Sequence, residues 1–207
     1  MKLTWLGHSC FRVEYDDYAI VLDPYAPGSV PGLAPLDVEA DEVLCSHEHG
    51  DHGYRAAVRL RPARRPSPFS VTRVASAHDD RGGSLRGPNT VHVLEAGGVR
   101  AAHLGDLGCL LNEAQARAIG PLDALMLPVG GHYTIDARQA RAVADLLAPR
   151  TVLPMHYRTE AFGFDVLAPL EECLPHFDNV LRLDENSLSL VHGMPRQTIC
   201  LLYTSPS

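Results

Sequence analysis

Three histidines and an aspartate that are candidate metal ligands fall within the six residues 47–52. The segment reads His-Glu-His-Gly-Asp-His, and its candidate ligands are His47, His49, Asp51 and His52. Imidazole nitrogen and carboxylate oxygen are ligands of zinc and of other first-row metals. Because the segment directly follows an apolar stretch at 42–45, a purely solvated turn explains it poorly. The spacing therefore predicts a metal site.

Further candidate ligands follow other predicted strands. Asp106 comes after the strand predicted at 99–104, and His156 comes after the strand predicted at 151–154. His78 lies in a loop beside Asp79 and Asp80. Since a rigid strand can hold a ligand from its adjoining loop, we expect these groups to converge.

Two other histidine motifs do not fit the segment at 47–52. The H-E-x-x-H helix of zinc proteases requires a second histidine where this chain has Asp51, and Gly50 lies inside the segment. The zinc deaminase pattern also fails, because no P-C-x-x-C follows.

The elements that position these residues are strands first and alternating strands and helices later. Gly97-Gly98 predicts a hairpin between two strands, and Asp136 with Gln139 predicts a capping box at the start of a helix. Helices are also predicted at 112–119 and 166–177, and the Arg- and Pro-rich stretch at 55–74 is interpreted as a surface excursion. This order predicts an α/β or α+β fold with mixed sheets.

Composition excludes several classes of protein. The chain has 207 residues, of which 45% are hydrophobic and 21% charged, so disorder is excluded as its main state. Its 18 Lys and Arg residues against 25 Asp and Glu residues give a net charge of −7, which argues against nucleic-acid partners. No apolar run approaches the roughly 20 residues of a membrane span, and no secretory signal is visible. Five widely spaced cysteines without a C-x-x-C pair predict reduced thiols in a cytoplasmic protein.

The cluster at 47–52 resembles that of the metallo-β-lactamase superfamily. The similarity extends to other motifs in the same order, and these look like the branch of small metal-dependent hydrolases similar to L-ascorbate-6-phosphate lactonase. The motifs are Trp5-Leu6-Gly7-His8-Ser9-Cys10, Leu22-Asp23-Pro24, His78-Asp79-Asp80, Gly87-Pro88-Asn89-Thr90, His103-Leu104-Gly105-Asp106-Leu107-Gly108, Pro128-Val129-Gly130-Gly131 and Pro154-Met155-His156-Tyr157.

The resemblance implies an αββα four-layer sandwich of two mixed β-sheets flanked by helices, formed by a single domain at 1–196. It also implies two metal ions. His47, His49 and His78 would bind the first metal, Asp51, His52 and His156 the second, and Asp106 would bridge both. His103 competes with His78 as third ligand of the first metal, and we prefer His78. Asp23 would orient a ligand histidine, and His8 either lines the site or is a structural histidine.

Two bound metals would activate a bridging water as hydroxide at neutral pH and polarise a carbonyl or phosphoryl oxygen. Asp51 or Asp106 would help to orient that hydroxide. Zinc is the first expectation, and manganese and iron also suit an all-His/Asp site. The sequence thus predicts a metal-dependent hydrolase of a small ester, lactone or phosphorylated metabolite. An iron-dependent oxidoreductase, a nuclease and a metal-binding module without turnover remain alternatives.

Three features of the sequence are compatible with an anionic substrate. Residues 55–73 contain six arginines and no acidic residue, so they form either an anion-attracting patch near the metal or a solvated excursion. The loop at 130–134 is expected to offer backbone N–H groups to an anion, and its His132 and Tyr133 are candidate substrate contacts. Arg158 is a further candidate for binding an anion.

The C-terminal segment at 197–207 is set apart from the domain. Residues 199–203 predict a final edge strand, whereas 201–207 resemble translated cloning sequence and are excluded from functional inference. The sequence is compatible with a homo-oligomer.

Overall fold

The computed structural model describes residues 1–62 and 65–204 and contains two principal β-sheets. The first sheet has five strands in the order β13-β1-β2-β3-β5. Their bounds are β1 Lys2–Gly7, β2 Cys10–Tyr15, β3 Tyr18–Leu22, β5 Glu42–Leu44 and β13 Ser187–Ser189. Alternating or continuous apolar residues give these strands a buried face, which places them on the common core.

The second sheet has seven strands in the order β12-β14-β11-β10-β9-β8-β7. Their bounds are β7 Ser70–Ala77, β8 Pro88–Ala96, β9 Val99–His103, β10 Ala124–Pro128, β11 Thr151–Met155, β12 Val180–Arg182 and β14 Gln197–Cys200. Every residue of β10 and β11 is buried, as expected for parallel strands covered on both faces. The hairpin predicted at Gly97-Gly98 joins β8 and β9.

Two amphipathic helices pack on the seven-stranded sheet. Helix α1, Glu113–Ile119, contacts β7, and α2, Ala137–Leu147, contacts β10. Asn112 and Asp136 cap them with complete capping boxes, so the box predicted at Asp136 is confirmed. The two mixed sheets with few helices confirm the predicted α+β sandwich.

Two predicted segments need correction. The helix predicted at 166–177 is only α3, Leu170–Cys173, followed by a 3₁₀ turn at Leu174–His176, because Pro169 and Pro175 limit its extent. The stretch at 55–74, predicted to be an irregular surface excursion, contains regular secondary structure. It holds a 3₁₀ turn, Arg55–Ala57, and strand β6, Val58–Leu60, which pairs with β4, Val38–Ala40, before β7 begins.

The strand expected at 199–203 was predicted to be an edge strand, but it is the second strand of the seven-stranded sheet. Strand β14 is not an edge strand, because it pairs in parallel with β11 on one side and β12 on the other. Beyond it, Leu201 is buried, and the Tyr203 hydroxyl accepts a hydrogen bond from the Ala34 amide. That the domain ends at 196 and that the segment is non-native stay predictions.

Strand direction brings candidate ligands to one edge of each sheet. In the first sheet β1, β3 and β5 run the same way, so His8, Asp23 and the cluster at 47–52 follow their common ends. In the second sheet β7, β9, β10 and β11 run the same way. His78, Asp106 and His156 follow three of these strands. Among the described residues, no helix is long and apolar enough to cross a membrane.

We expect a chain ending at Arg196 to lose its cooperative fold. Burial of one large aliphatic side chain contributes about 1.5–3 kcal/mol, so losing Ile199 and Leu201 removes roughly 3–6 kcal/mol. This is comparable with the roughly 5–15 kcal/mol that stabilises a typical domain. Thermal unfolding followed by circular dichroism measures the effect, with a chain ending at Thr204 as the control. A truncated chain that melted within about 2 °C of this control would show β14 to be dispensable, since 1 kcal/mol already moves the midpoint by about 2–4 °C in a domain of this size.

Candidate metal centre

Two groups of candidate ligands meet between the ends of the two sheets. The first comprises His47, His49 and His78, and each offers a ring nitrogen within 4.8 Å of the others. The second comprises His8, Asp51, His52 and His156, and each offers one ligand atom within 4.8 Å of the others. All seven residues are among those singled out in the sequence.

Asp106 lies between the two groups. Its Oδ2 is 2.7 Å from Nε2 of His78 and 3.3 Å from Nε2 of His156, and its Oδ1 is 3.2 Å from Nε2 of His52. Nε2 of His47 is 3.9 Å from Oδ2. One carboxylate is therefore within reach of both groups, which is the arrangement a shared ligand needs.

Buried nitrogens without hydrogen-bond partners test whether these residues fit a metal. Among the described residues, the unpartnered buried atoms are concentrated here: both ring nitrogens of His8 and His156, Nε2 of His47 and His52, Nδ1 of His78, and Oδ1 of Asp106. Leaving a buried polar atom unsatisfied costs about 1–3 kcal/mol. The donor set of imidazoles and carboxylates suits zinc, manganese or iron. The residues present therefore fit a bound metal.

Asp23 and Ser46 fix the orientation of two of these rings. Asp23 Oδ2 is 2.8 Å from Nδ1 of His52, and Asp23 also accepts hydrogen bonds from the amide and hydroxyl of Ser46. The Ser46 hydroxyl oxygen in turn lies 2.9 Å from Nδ1 of His47. When both Nδ1 atoms donate, Nε2 of each ring is left free to bind a metal.

Close approach to Ser46 and His78 requires glycine on either side of Asp106. A Cβ at Gly105, whose φ is +54°, would overlap the side chains of Ser46 and Asn89. A Cβ at Gly108 would overlap the backbone of His78. Asn89 also accepts a hydrogen bond from the Asp106 amide at 3.0 Å. The loop around Asp106 thus tolerates no side chain at these two positions.

His103 has both ring nitrogens engaged elsewhere. Its Nε2 donates to the Ser9 carbonyl at 2.8 Å, and its Nδ1 accepts from the Gly105 amide at 3.1 Å. His78, by contrast, faces His47 and His49. The geometry therefore favours His78 over His103 as a ligand.

Burial and neighbouring charge set the protonation of the site. Burial lowers the pKa of His47 and of His8 to about 4 each, so both rings are neutral near pH 7. Burial also opposes charge on Asp106, but His156 and His52 outweigh it and hold the pKa of that carboxyl well below its ordinary value. Burial lowers the pKa of His52, yet Asp106 and Asp23 raise it overall well above its ordinary value. A metal bound by His52 would therefore displace a proton.

A cavity of about 300 Å³ opens beside the two groups of candidate ligands. It is lined by His49, Asp51, His78, Arg86, Asp106, Tyr133 and Phe164. This volume is at the small end of the range for ligand sites in proteins. The candidate centre is therefore open to a small molecule.

The candidate substrate contacts are placed differently by the structure. Tyr133 lines the cavity, whereas His132 is exposed and packs edge-on against Tyr133. Arg158 lines a separate cavity and donates from Nε to the Leu167 carbonyl. In the loop at 130–134, the amides of Gly131, Tyr133 and Thr134 all donate to backbone carbonyls. Three amides of the loop are therefore engaged within the protein, and binding of an anion by this loop stays a prediction.

The arginines at 55–73 are mostly committed to carboxylates. Arg55 makes two 2.8 Å hydrogen bonds to Glu48, and Arg65 pairs with Asp16. Arg59 pairs with Asp37 and Glu39, and Arg61 pairs with Asp41. Arg64 lies outside the described residues. The stretch is thus an ion-paired surface, and its interpretation as an anion-attracting patch loses support.

Comparison with known proteins agrees with this fold and site. Residues 2–156 match the family described as the Beta-lactamase superfamily domain. A UPF0173 metal-dependent hydrolase of Thermococcus kodakarensis is 30% identical over 77% of this chain and 85% of its own length. A candidate Zn-dependent hydrolase of the metallo-β-lactamase superfamily from Thermotoga maritima superposes with a TM-score of 0.76, 36% identity and 97% coverage of both chains. A metallo hydrolase from Ignicoccus hospitalis has a TM-score of 0.61 and 25% identity, and covers 81% of this chain and 85% of its own.

The fold and the histidine-rich site are those of a metal-dependent hydrolase. The chain belongs to the metallo-β-lactamase superfamily, within the UPF0173 family of metal-dependent hydrolases. The resemblance to this superfamily that the sequence motifs indicated is confirmed.

Several residues of the site were missed by sequence reasoning. Ser46, Asn89, Arg86 and Phe164 all contact the centre or line its cavity. Ser46 adjoins the histidine cluster, so its position was a usable signal. Arg86 and Phe164 lie in loops whose course the sequence pattern does not reveal.

We expect Asp23→Asn to weaken metal binding by roughly 10- to 100-fold, because the hydrogen-bonded carboxylate that orients His52 is lost. Competition with a chromogenic chelator for zinc measures the change. Asp123→Asn is a matched control, since Asp123 is also a buried hydrogen-bonded carboxylate but pairs with the Arg100 amide. Equal zinc affinity in both variants would contradict the orienting role of Asp23.

Proposed function

We propose that the chain hydrolyses a small ester, lactone or phosphorylated metabolite with two divalent metal ions, zinc first among them. The observation that carries this proposal is the pair of ligand groups with Asp106 between them. In the proposal His47, His49 and His78 hold one ion, Asp51, His52 and His156 hold the other, and Asp106 contacts both. His8, the remaining member of the second group, lies beside these ligands.

Two metals bound there would supply an acidified water and Lewis-acid polarisation of the electrophilic oxygen. The protein residues perform the remaining tasks. Asp23 and Ser46 hold the His52 and His47 rings with their Nε2 atoms toward Asp106. Asp51, about one-fifth exposed and lining the cavity, would accept a hydrogen bond from the attacking water and orient it. Phe164 and Tyr133 contribute aromatic surface to the same space and pack edge-on against each other.

Support for a small substrate comes from the cavity volume of about 300 Å³. A nuclease role receives little support, because the arginines at 55–73 are paired with carboxylates. A cytoplasmic location is supported by five free cysteines, three of them buried.

Elemental analysis of protein purified without added metal should find about two zinc or manganese ions per chain. Asp106→Ala should lose both ions under dialysis that leaves the wild type loaded, because each ion loses a ligand. His78→Ala should lose one ion, whereas His103→Asn should retain two after correction for its folded fraction. If His103→Asn lost an ion and His78→Ala kept both, the ligand assignment would be reversed.

Hydrolysis should depend on the metal. We expect turnover of 4-nitrophenyl butyrate and of a simple γ-lactone, abolished by a chelator and restored by zinc or manganese. Asp51→Asn should lower kcat by roughly 10²- to 10⁴-fold if the carboxylate assists proton transfer. Two bound irons with a visible absorption band and no hydrolysis would instead support an oxidoreductase.

A further inference from the structure

Arg86 is a cationic side chain in the cavity that the sequence motifs did not single out. It is half-buried and lines the same space as His49, Asp51 and Asp106. Among the described residues Arg86 takes part in no ion pair, unlike Arg55, which pairs with Glu48. An unpaired guanidinium beside a metal centre is available to a ligand.

The loop that carries Arg86 is held by one carboxylate. Asp79 accepts hydrogen bonds of 2.8–2.9 Å from the backbone amides of Arg81, Gly83, Leu85 and Arg86. The loop begins directly after His78. The hydrogen bonds to Asp79 therefore fix the Arg86 backbone relative to the candidate metal ligands. This order lowers the entropy that Arg86 would lose when it binds an anion.

The guanidinium of Arg86 lies against aromatic side chains of the cavity. The central carbon of Arg86 lies 5.7 Å from the centre of the Tyr133 ring, within the range of a cation–π contact. Tyr133 packs edge-on against Phe164, and Phe164 packs edge-on against His8. A guanidinium in a cation–π contact can still donate its N–H groups to a bidentate carboxylate or phosphate.

We propose that Arg86 binds the carboxylate or phosphate group of an anionic substrate while the bond to be hydrolysed lies over Asp106. This inference rests on the proposed hydrolase function and adds the charge of its substrate. Arg86 is the one lining residue of this cavity, among the described residues, with a permanent positive charge. In a chain of net charge −7, that local charge would select and orient an anion.

The test compares a charged and a neutral ester on the zinc-loaded protein: mono-4-nitrophenyl succinate and 4-nitrophenyl butyrate. The wild type should favour the charged ester in kcat/KM. Arg86→Gln should lower the charged-to-neutral ratio by roughly tenfold to a hundredfold, as expected for loss of a charge-assisted hydrogen bond. Arg86→Lys should retain part of the preference, because it keeps the charge and loses the bidentate geometry.

Arg81→Gln is the matched control. It removes the same charge from the same loop, but its exposed side chain is not among those lining the cavity. The ratio should stay at the wild-type value. If both esters are hydrolysed and Arg86→Gln behaves like Arg81→Gln, the role of Arg86 is wrong and the hydrolase function stands.

Inhibition of the neutral-ester reaction by succinate and by inorganic phosphate identifies the anion, since the preferred one should lose more potency in Arg86→Gln. If neither ester is hydrolysed, the ester-hydrolase function fails. Calorimetric titration of the zinc-loaded protein with the same two anions then tests Arg86 separately. Weaker binding in Arg86→Gln supports the inference, and equal binding in wild type and variant overturns it.

Discussion

Burial of the Asp106 carboxylate among imidazole rings is the interaction on which the rest of the site depends. A carboxylate removed from water costs several kcal/mol unless charges and donors around it compensate. Here His52, His78 and His156 surround it, and the Asn89 side chain accepts from its backbone amide. The remaining unpartnered nitrogens make the cluster a poor protein core and a good metal site.

The sandwich supplies the rigidity that this arrangement requires. His8, Asp23 and His156 each follow a strand and each adopt a positive φ, between 47° and 56°. This left-handed conformation costs a non-glycine residue on the order of 1–3 kcal/mol of free energy. It persists only where the surrounding structure holds the backbone in place. The fully buried strands β10 and β11 and the apolar β3 provide that support. Three residues of the site thus share this conformation at the points where their strands end.

The cavity brings together the two kinds of group that the proposed function uses. Its imidazoles and carboxylates are the proposed metal ligands, and Arg86, 5.7 Å from the centre of the Tyr133 ring, supplies a fixed positive charge. The loop that carries Arg86 starts after His78, so a proposed ligand and the proposed substrate contact belong to one short segment. Such proximity would couple the position of the substrate to the geometry of the metal site.

The local features of this chain are readable from its sequence, because they depend on neighbouring residues. The histidine cluster at 47–52, the capping box at Asp136 and the hairpin at Gly97-Gly98 are of this kind, and the ordered motifs indicated the superfamily. Tertiary structure decided the contacts between distant segments. It paired Arg59 and Arg61 with carboxylates about 20 residues away, placed β14 inside the sheet, engaged His103 with Ser9 and brought Arg86 onto Tyr133. Those outcomes depend on strand register and loop course, which residue spacing does not encode.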